Sequence, residues 1–288
     1  MNTIYLGRKL LLTRLFVLSF ILLLTSCGRL FYQPNSFLYS DPHQLKYEFD
    51  NIKIPSTDGV QLHAWHFKNI SKQKTQGIVL FFHGNAQNIS SHYFSIAWMS
   101  KHGYEVVVVD YRGYGLSTGT PDQKGVYNDA LAALNYTHDY YKKNQLKKFI
   151  VYGQSLGANI GLRAVADFTA KKDISLVVLD STFLSYKAIA FDRLQTFWMT
   201  WPFSPLAYVL VSNEYSPAEY AAITQLPTLV IHGEQDPIIP YKFGVEIYET
   251  LPAGNKEMWR IVGGKHIDVF YSHNGVYKEK FIKYLQLK

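Results

Sequence analysis

A short apolar run that leads to a serine between two glycines constrains the fold of this chain more than any other feature. Residues Lys148–Tyr152 are rich in β-forming side chains, and helix-forming residues begin directly after Ser155. The pattern predicts a strand, a sharp turn and a helix, with Ser155 at the apex. Because strand and helix approach closely beside such a turn, small residues are needed at Gly153 and Gly157. The sequence therefore predicts a hydroxyl group at the N-terminus of a helix, whose N–H groups can stabilise negative charge.

Other apolar runs of similar length alternate with helical segments along the chain. Most of them are continuous and β-branched, which indicates strands that are covered on both faces, as in a parallel sheet. The first two runs alternate polar and apolar residues around a turn at 56–59, which predicts a hairpin. We therefore predict the α/β class, with a doubly wound, mostly parallel sheet of eight strands and helices on both faces. The predicted strands are Tyr47–Ile54, Val60–Phe67, Gly77–Phe82, Tyr104–Val109, Lys148–Tyr152, Ile174–Leu179, Pro227–Ile231 and Glu257–Val262, and the predicted helices are Ile89–Lys101, Pro121–Lys143, Leu156–Ala170, Tyr241–Thr250 and Val269–Leu285.

One segment, 183–215, interrupts this alternation. It contains several large aromatic residues, among them Trp198, Trp201 and Tyr208, together with prolines. An insertion after a strand, on the side where the loops gather, can cover the ligand crevice of an open sheet. The segment is predicted to be either a short lid over an apolar pocket or a segment that packs its own aromatic side chains on the sheet. The sequence leaves open which of the two it is, and whether the segment faces a bilayer.

The N-terminus carries a targeting pattern. Basic residues within 1–14 precede an uncharged apolar run, Leu15–Leu24, which is about half of the roughly 20 residues that a membrane-spanning helix needs. The stretch Leu24–Cys27 resembles the lipobox of bacterial lipoproteins, which implies a signal peptide over 1–26 and lipid attachment at Cys27. The alternative is an uncleaved N-terminal anchor with an incidental cysteine. Cys27 is the only cysteine, so the chain has no intramolecular disulfide.

Under the lipoprotein interpretation, residues 27–46 form a lipidated N-terminus and a tether, and residues 47–288 form the folded domain. Residue 28 is glycine rather than aspartate, so the resemblance gives no signal for retention in the inner membrane. We therefore predict a domain that is attached through lipid to a membrane of the bacterial cell envelope, with the outer membrane favoured over the inner membrane.

Composition argues against nucleic-acid and metal partners. The formal net charge is +7, and the +4 that remains after residues 1–26 are removed is scattered rather than gathered in a basic stripe. The ten histidines lack the His-x-x-x-His and His-Glu-x-x-His spacings of metal sites. Gly113, Gly115 and Gly119 do not open a helix in a dinucleotide-binding pattern. No cofactor, no metal and no obligate protein partner is predicted.

Polar residues that suit catalysis follow other strands of the predicted sheet. Asp236 and His266 lie in the loops after the seventh and eighth strands. In open α/β sheets functional groups collect beyond the carboxyl ends of the strands, so both residues are expected near Ser155. Asp180, at the end of the sixth strand, is the alternative acid. His273, which lies within a helical pattern, is the alternative base.

The chain order of serine, aspartate and histidine is that of the α/β hydrolases, and the chain resembles this family over essentially all of its mature length. The resemblance implies the fold, a triad of Ser155, Asp236 and His266, and an oxyanion hole formed by the backbone N–H groups of Leu156 and Asn85. The branch with a His-Gly-Asn loop includes acyl-thioesterases, lipases and esterases, so the resemblance implies a reaction class rather than a substrate. The matching segments are His83–Asn85, Asp110–Ser117, Gly153–Gly157, His232–Asp236 and Gly264–His266.

These residue types suit acyl transfer. The Ser155 hydroxyl is a poor nucleophile until a neutral imidazole removes its proton, and His266 is the predicted base. Asp236 would bind the other ring nitrogen and stabilise the imidazolium form. Four further polar residues at strand ends are interpreted as structural. His83 and His232 are predicted to shape their loops, and Asp110 and Arg112 are predicted to pair with each other or brace their loop.

The sequence thus predicts a serine hydrolase that cleaves carboxylic ester or thioester bonds of a small-molecule or lipid substrate through an acyl-serine intermediate. A peptidase of the same fold is one alternative, although it would be expected to carry a propeller or a charge-reading cap. A non-catalytic envelope lipoprotein of this fold is another, and the intact triad counts against it. Epoxide hydrolases and haloalkane dehalogenases of this fold use an aspartate nucleophile, so the serine at the apex argues against both.

Overall fold

The structure is a computed structural model, and it describes residues 31–222 and 225–287. The predicted signal peptide and Cys27 therefore lie outside the described residues. Within those ranges, no helix combines the length and the apolar character that crossing a membrane requires.

A single mixed sheet forms the centre of the described domain. The β2 strand pairs antiparallel with β1 and with β4, and the remaining neighbouring strands are parallel. The order across the sheet is β1-β2-β4-β3-β5-β6-β7-β8. This arrangement confirms the predicted α/β class and the predicted eight-stranded, mostly parallel sheet. The strands are β1 (Phe49–Pro55), β2 (Gln61–Phe67), β3 (Gly77–Phe82), β4 (Tyr104–Val109), β5 (Lys148–Gln154), β6 (Leu176–Asp180), β7 (Thr228–Gly233) and β8 (Lys256–Ile261).

The continuous apolar strands are explained by burial on both faces of the sheet. Along β3, Ile78, Leu80 and Phe82 belong to one buried hydrophobic cluster, whereas Val79 and Phe81 belong to a second. Since neighbouring side chains of a strand point to opposite faces, each face of the sheet has its own hydrophobic layer. The helices that cover these layers connect parallel strands, as the sequence predicts.

Helices occupy most of the predicted positions, with one clear difference near the C-terminus. The last helix begins at Val276 rather than Val269, because His273 and Asn274 have φ values of 51° and 54° and interrupt any helix there. The placement of His273 inside a helix was wrong; its side chain is exposed in a 3-10 turn. The α-helices are α1 (Ile89–His92), α2 (Phe94–Ala97), α3 (Gln123–Lys143), α4 (Leu156–Asp167), α5 (Tyr186–Gln195), α6 (Ala207–Leu210), α7 (Ala218–Ala221), α8 (Tyr241–Thr250) and α9 (Val276–Leu287).

The strand order brings two loops together in the middle of the sheet. From β3 the chain passes to β4 on one side, and it then returns to form β5 on the other side of β3. At such a switch point the loops that leave two adjacent strands diverge and open a crevice. The loop after β3, residues 83–88 (the β3 loop), and the turn at Ser155 after β5 flank this crevice.

A buried ion pair fixes the loop after β4. Arg112 donates from Nη2 to Oδ1 of Asp129 on α3 at 2.9 Å and from Nε to Oδ2 at 3.0 Å. Its backbone N–H also donates to Asp129, and Ser56 Oγ donates to the same carboxylate. Asp110 instead lies 3.4 Å from Nε2 of His83. Arg112 and Asp110 therefore brace their loop through different partners, and the interpretation that they pair with each other was wrong.

Replacement of Asp129 by alanine should lower the free energy of unfolding by about 3–5 kcal/mol, because it leaves the buried Arg112 guanidinium without its partner. Asp58→Asn is the control, since Asp58 also faces Arg112, at 4.0 Å, but its side chain is 76% exposed, and asparagine tolerates its positive φ of 61°. A pair this exposed is worth about 1 kcal/mol or less. Urea unfolding of both variants measures the difference, and equal losses would contradict this account.

Candidate active site

The turn that carries Ser155 has the strained backbone that its sequence predicts. Ser155 has φ 52° and ψ −123°, a combination that few non-glycine residues adopt, and it caps the N-terminus of α4. A Cβ on Gly157 would lie 2.3 Å from the carbonyl oxygens of Phe82 and His83, and a Cβ on Gly153 would lie 2.3 Å from the Ala158 Cα. Both positions therefore require glycine, because the helix starts directly against β3 and β5.

Two further backbone contacts hold this turn. The Ser155 N–H donates to the carbonyl oxygen of Asp180 at 2.8 Å, and Thr182 Oγ1 donates to the Ser155 carbonyl at 2.6 Å. Ser181 also has a positive φ of 52°, and its hydroxyl accepts from the N–H of Ile267 at 3.2 Å. The ends of β5 and β6 and the loop after β8 are thus joined. Sequence analysis did not identify Thr182 or Ser181, since a Ser-Thr pair after a strand carries no distinctive signal.

Asp236 and His266 form a direct hydrogen bond at this edge of the sheet. Nδ1 of His266 donates to Oδ2 of Asp236 at 2.7 Å, and the Asp236 side chain is fully buried. Oδ1 of Asp236 accepts from the N–H groups of Ile238 and Ile239 at 2.8 and 2.9 Å. The Asp236 carboxylate therefore stabilises its own turn through one oxygen and binds His266 through the other. With its proton on Nδ1, the His266 ring has its lone pair on Nε2.

Asp180, the alternative acid, has other partners. Its Oδ2 accepts from the Tyr152 hydroxyl at 3.0 Å and from the Gln154 amide at 2.9 Å, and its Oδ1 accepts from Ser181 Oγ. Complete burial raises the pKa of Asp180 to about 6, although these hydrogen bonds oppose the rise. The partner of His266 is therefore Asp236, whereas Asp180 binds other residues at the buried end of β6.

The predicted loop-shaping histidines donate to backbone carbonyls. His83 Nδ1 donates to the Gly84 oxygen at 2.7 Å, and His232 Nε2 donates to the Ile239 oxygen at 2.8 Å. Burial lowers the pKa of His232. His92, which sequence analysis did not identify, stacks on His83 with ring centroids 5.1 Å apart. Burial and the neighbouring His83 lower the pKa of His92 to about 3, so it is a neutral packing group behind the β3 loop.

The β3 loop is held in an unusual conformation around Asn85. The side-chain oxygen of Asn85 accepts from the N–H of Ala86 at 2.7 Å, from the Tyr114 hydroxyl at 3.0 Å and from the N–H of Gln33 at 2.9 Å. Ala86 and Gln87 both have positive φ values, 63° and 59°. A loop with two such residues needs external support, which Tyr114 and Gln33 supply.

Residues 31–40, which we call the N-terminal strap, supply most of that support. This segment belongs to the predicted tether, but it packs on the domain. Gln33 binds Asn85, and the Asn88 side-chain amide donates to the carbonyl oxygens of Asn35 and Phe37 at 3.1 and 2.8 Å. Further along the strap, the N–H of Tyr39 donates to Ser90 Oγ at 2.9 Å. The strap therefore follows the β3 loop over most of its length.

The beginning of the strap contacts the insertion between β6 and β7. The Phe31 ring packs edge-on against Tyr186, the first residue of α5, and the hydroxyls of Tyr32 and Tyr186 lie 3.4 Å apart. At the other end of α5, Arg193 Nη1 donates to the carbonyl oxygen of Pro237, in the loop of Asp236. The insertion thus rests between the strap and the Asp236 loop.

No group of three histidine, cysteine or acidic side chains that could hold a metal ion occurs in the part of the chain that the structure describes. The arrangement at the crevice contains a strained serine, a helix N-terminus and an aspartate–histidine pair.

Comparison with known proteins identifies the family of this chain. A family model described as the alpha/beta hydrolase fold matches residues 77–215. The uncharacterized protein YfhR of Escherichia coli (strain K12) is 31% identical over 261 residues, which cover 88% of this chain and 86% of that protein. The chain therefore belongs to the α/β-hydrolase family.

Solved structures resemble the whole fold. The Pyrococcus furiosus esterase Pf2001 superimposes with a TM-score of 0.69 at 22% identity, over 88% of this chain and 98% of that one. A soluble variant of monoglyceride lipase from Saccharomyces cerevisiae gives a TM-score of 0.62 at 18% identity, over 83% and 93% of the two chains. These identities are low, so the likeness shows the fold.

The raised pKa of Asp180 predicts a pH-dependent stability. An unfolded aspartate titrates near 3.8 and the folded side chain near 6, so the contribution of Asp180 to stability is complete below about pH 4 and is lost as the pH rises through 6. The difference corresponds to about 3 kcal/mol. In Asp180→Asn this contribution does not titrate, and the amide can still accept from Tyr152 and donate to Ser181.

Urea unfolding between pH 4 and pH 8 measures this effect. The free energy of unfolding of the wild type should fall relative to that of Asp180→Asn as the pH rises, and parallel curves would contradict the assignment.

Proposed function

We propose that this chain is a serine hydrolase that cleaves carboxylic ester or thioester bonds through an acyl-Ser155 intermediate. The observation that carries the proposal is the 2.7 Å hydrogen bond from His266 Nδ1 to the buried Asp236, on the same sheet edge as the strained Ser155. The esterase and the lipase among the similar structures agree with this reaction class.

In this mechanism the three residues have different roles. His266 removes the proton from the Ser155 hydroxyl as that oxygen attacks the acyl carbon, and it then returns the proton to the leaving alcohol or thiol. Asp236 holds the tautomer of His266 and stabilises its protonated form. Water then attacks the acyl-enzyme with the same base, which releases the acid and restores Ser155.

The tetrahedral oxyanion requires donors that are already in place. We assign this role to the backbone N–H groups of Leu156, the first residue of α4, and Asn85, in the β3 loop. Loss of one such donor costs about 3 kcal/mol of barrier stabilisation. The side-chain oxygen of Asn85 accepts from Ala86, Gln33 and Tyr114, and these bonds hold the backbone of the loop in position.

Hydrolysis of p-nitrophenyl esters from acetyl to palmitoyl, and of acyl thioesters, tests this assignment. Ser155→Ala should lose roughly 10³-fold or more in kcat, and Asp236→Asn about 10⁴-fold, because the wrong tautomer of His266 then predominates. Ser212→Ala, which removes an exposed serine, is the control and should retain the wild-type rate.

The alternatives predict other results. Equal rates for the wild type and Ser155→Ala would show that Ser155 is not the nucleophile. If both proteins fold but hydrolyse no ester or thioester, labelling with a fluorophosphonate separates an enzyme with another substrate, such as a peptidase, from a non-catalytic protein. The enzyme would be labelled at Ser155 and the non-catalytic protein would not.

We further propose that the domain is anchored to the bacterial envelope by lipid on Cys27, after removal of residues 1–26. The anchor would hold the domain at a membrane, with the outer membrane favoured over the inner because residue 28 is glycine. The prediction is that the wild type incorporates labelled palmitate and fractionates with membranes, whereas Cys27→Ser incorporates none. Palmitate label in Cys27→Ser, or none in the wild type, would contradict lipid attachment at this residue.

A further inference from the structure

The insertion between β6 and β7 exposes an apolar surface. Eight large hydrophobic side chains between residues 197 and 209 are exposed, and the fractions reach 75% for Trp198 and 78% for Val209. Exposed large apolar side chains that cluster in this way mark an interaction site. We call this surface the 197–209 patch, and its members are Phe197, Trp198, Met199, Trp201, Phe203, Leu206, Tyr208 and Val209.

The patch is built so that its side chains face outward. Residues 201–206 form a 3-10 helix and α6 follows directly, while only the small residues Ser204 and Ala207 are buried beneath them. Ser204 Oγ donates to the Trp201 carbonyl, which satisfies the buried hydroxyl. The short turns thus use small residues for the interior and place large ones outside. A segment whose only task was to cover the sheet would show the reverse distribution.

Composition and position indicate what covers the patch. The chain from Phe197 to Asn213 contains no charged residue, and the patch combines two tryptophans and a tyrosine with aliphatic side chains. Tryptophan and tyrosine are enriched where protein meets the headgroup region of a bilayer, because they have an apolar body and a polar edge.

The described part of the chain begins beside the first helix of the insertion. The described residues begin at Phe31, whose ring contacts Tyr186 at the start of the insertion. Only three residues lie between Cys27 and Phe31, and the four Cα–Cα steps that join them span at most about 14 Å. The attachment point therefore lies close to the insertion, whether Cys27 carries lipid or Leu15–Leu24 remains as an uncleaved anchor. Tethering makes contact with the bilayer effectively intramolecular, so a small patch suffices.

We infer that the 197–209 patch inserts into the headgroup region of the bilayer that holds the N-terminus, so that the crevice beside Ser155 receives an amphiphilic acyl substrate from the membrane. The substrate part rests on the proposed function, whereas the membrane contact does not. Helix α5, which precedes the patch, contacts the Asp236 loop through Arg193, so the segment that carries the patch is joined to the site. The proposed partner of the patch is a lipid surface, and contact with a second copy of the chain is the competing outcome of the test.

Tryptophan fluorescence tests the contact directly. Of the five tryptophans, Trp65, Trp98 and Trp259 are buried, so Trp198 and Trp201 alone are exposed. The full chain is reconstituted in phosphatidylcholine vesicles with and without brominated acyl chains. The brominated lipid should quench part of the wild-type emission, and the quenched part should disappear in Trp198→Phe/Trp201→Phe, in which the apolar surface is retained.

Absence of quenching in wild-type protein that floats with the vesicles would overturn the inference. If, in addition, the protein in detergent had the mass of two chains, and Trp198→Asp/Trp201→Asp had the mass of one, the patch would belong to an interface between copies of the chain. Quenching does not depend on turnover, so this test stands even if Ser155 proves not to be a nucleophile.

Turnover tests the substrate part. Trp198→Asp/Trp201→Asp should slow hydrolysis of a palmitoyl ester embedded in vesicles roughly tenfold or more, while the rate on the soluble acetyl ester stays within about twofold. Val276→Asp, which places the same charge on an exposed apolar position outside the patch, should change neither rate. An equal loss on both substrates would assign the tryptophans to the structure of the site and would overturn delivery from the membrane.

Discussion

The direct contact of α4 with the ends of β3 and β5 is the constraint on which the rest of the site depends. Gly157 lies so close to the Phe82 and His83 carbonyls that no side chain fits there, and this approach forces the backbone of Ser155 into its strained conformation. The same approach brings the β3 loop beside the first turn of α4. Overpacking at such a contact typically costs about 1–3 kcal/mol. The nucleophile position and the predicted oxyanion donors are therefore consequences of one packing contact.

Strain is concentrated at this edge of the sheet. Ala86, Ser155, Ser181 and Ile267 all have positive φ values, and Ile267 is β-branched, for which such a conformation is a true outlier. Each costs of order 1–3 kcal/mol and persists only because its surroundings determine it fully. The hydrophobic layers on both faces of the sheet supply that stability, and the strained residues lie on the loops that leave its strands.

Local sequence predicted what local patterns determine. The parallel strands and the turn at Ser155 follow from periodicity and glycine spacing, whereas the pairing of Asp236 with His266 was implied by the resemblance to the α/β hydrolases, with Asp180 left open as the alternative acid. The packing of residues 31–40 could not be predicted, because those residues have no periodicity and their partners, such as Asn85 and Tyr186, are distant in sequence. The break before α9 was missed because it depends on left-handed backbone at His273 and Asn274, which carry a weaker sequence signal for such a conformation than glycine does.

The N-terminal strap has a consequence for the order in which the chain folds. It is synthesised first, yet its partners Asn85 and Tyr186 lie 52 and 154 residues later than the strap residues that they contact. Contacts that close such long loops form late, because the entropy of closure is recovered only after both partners are fixed. We therefore expect the domain to collapse with its first ten described residues still undocked. Docking of these residues on the β3 loop would then mark the completion of folding, so a newly made chain would remain inactive until residues 31–40 have reached their place.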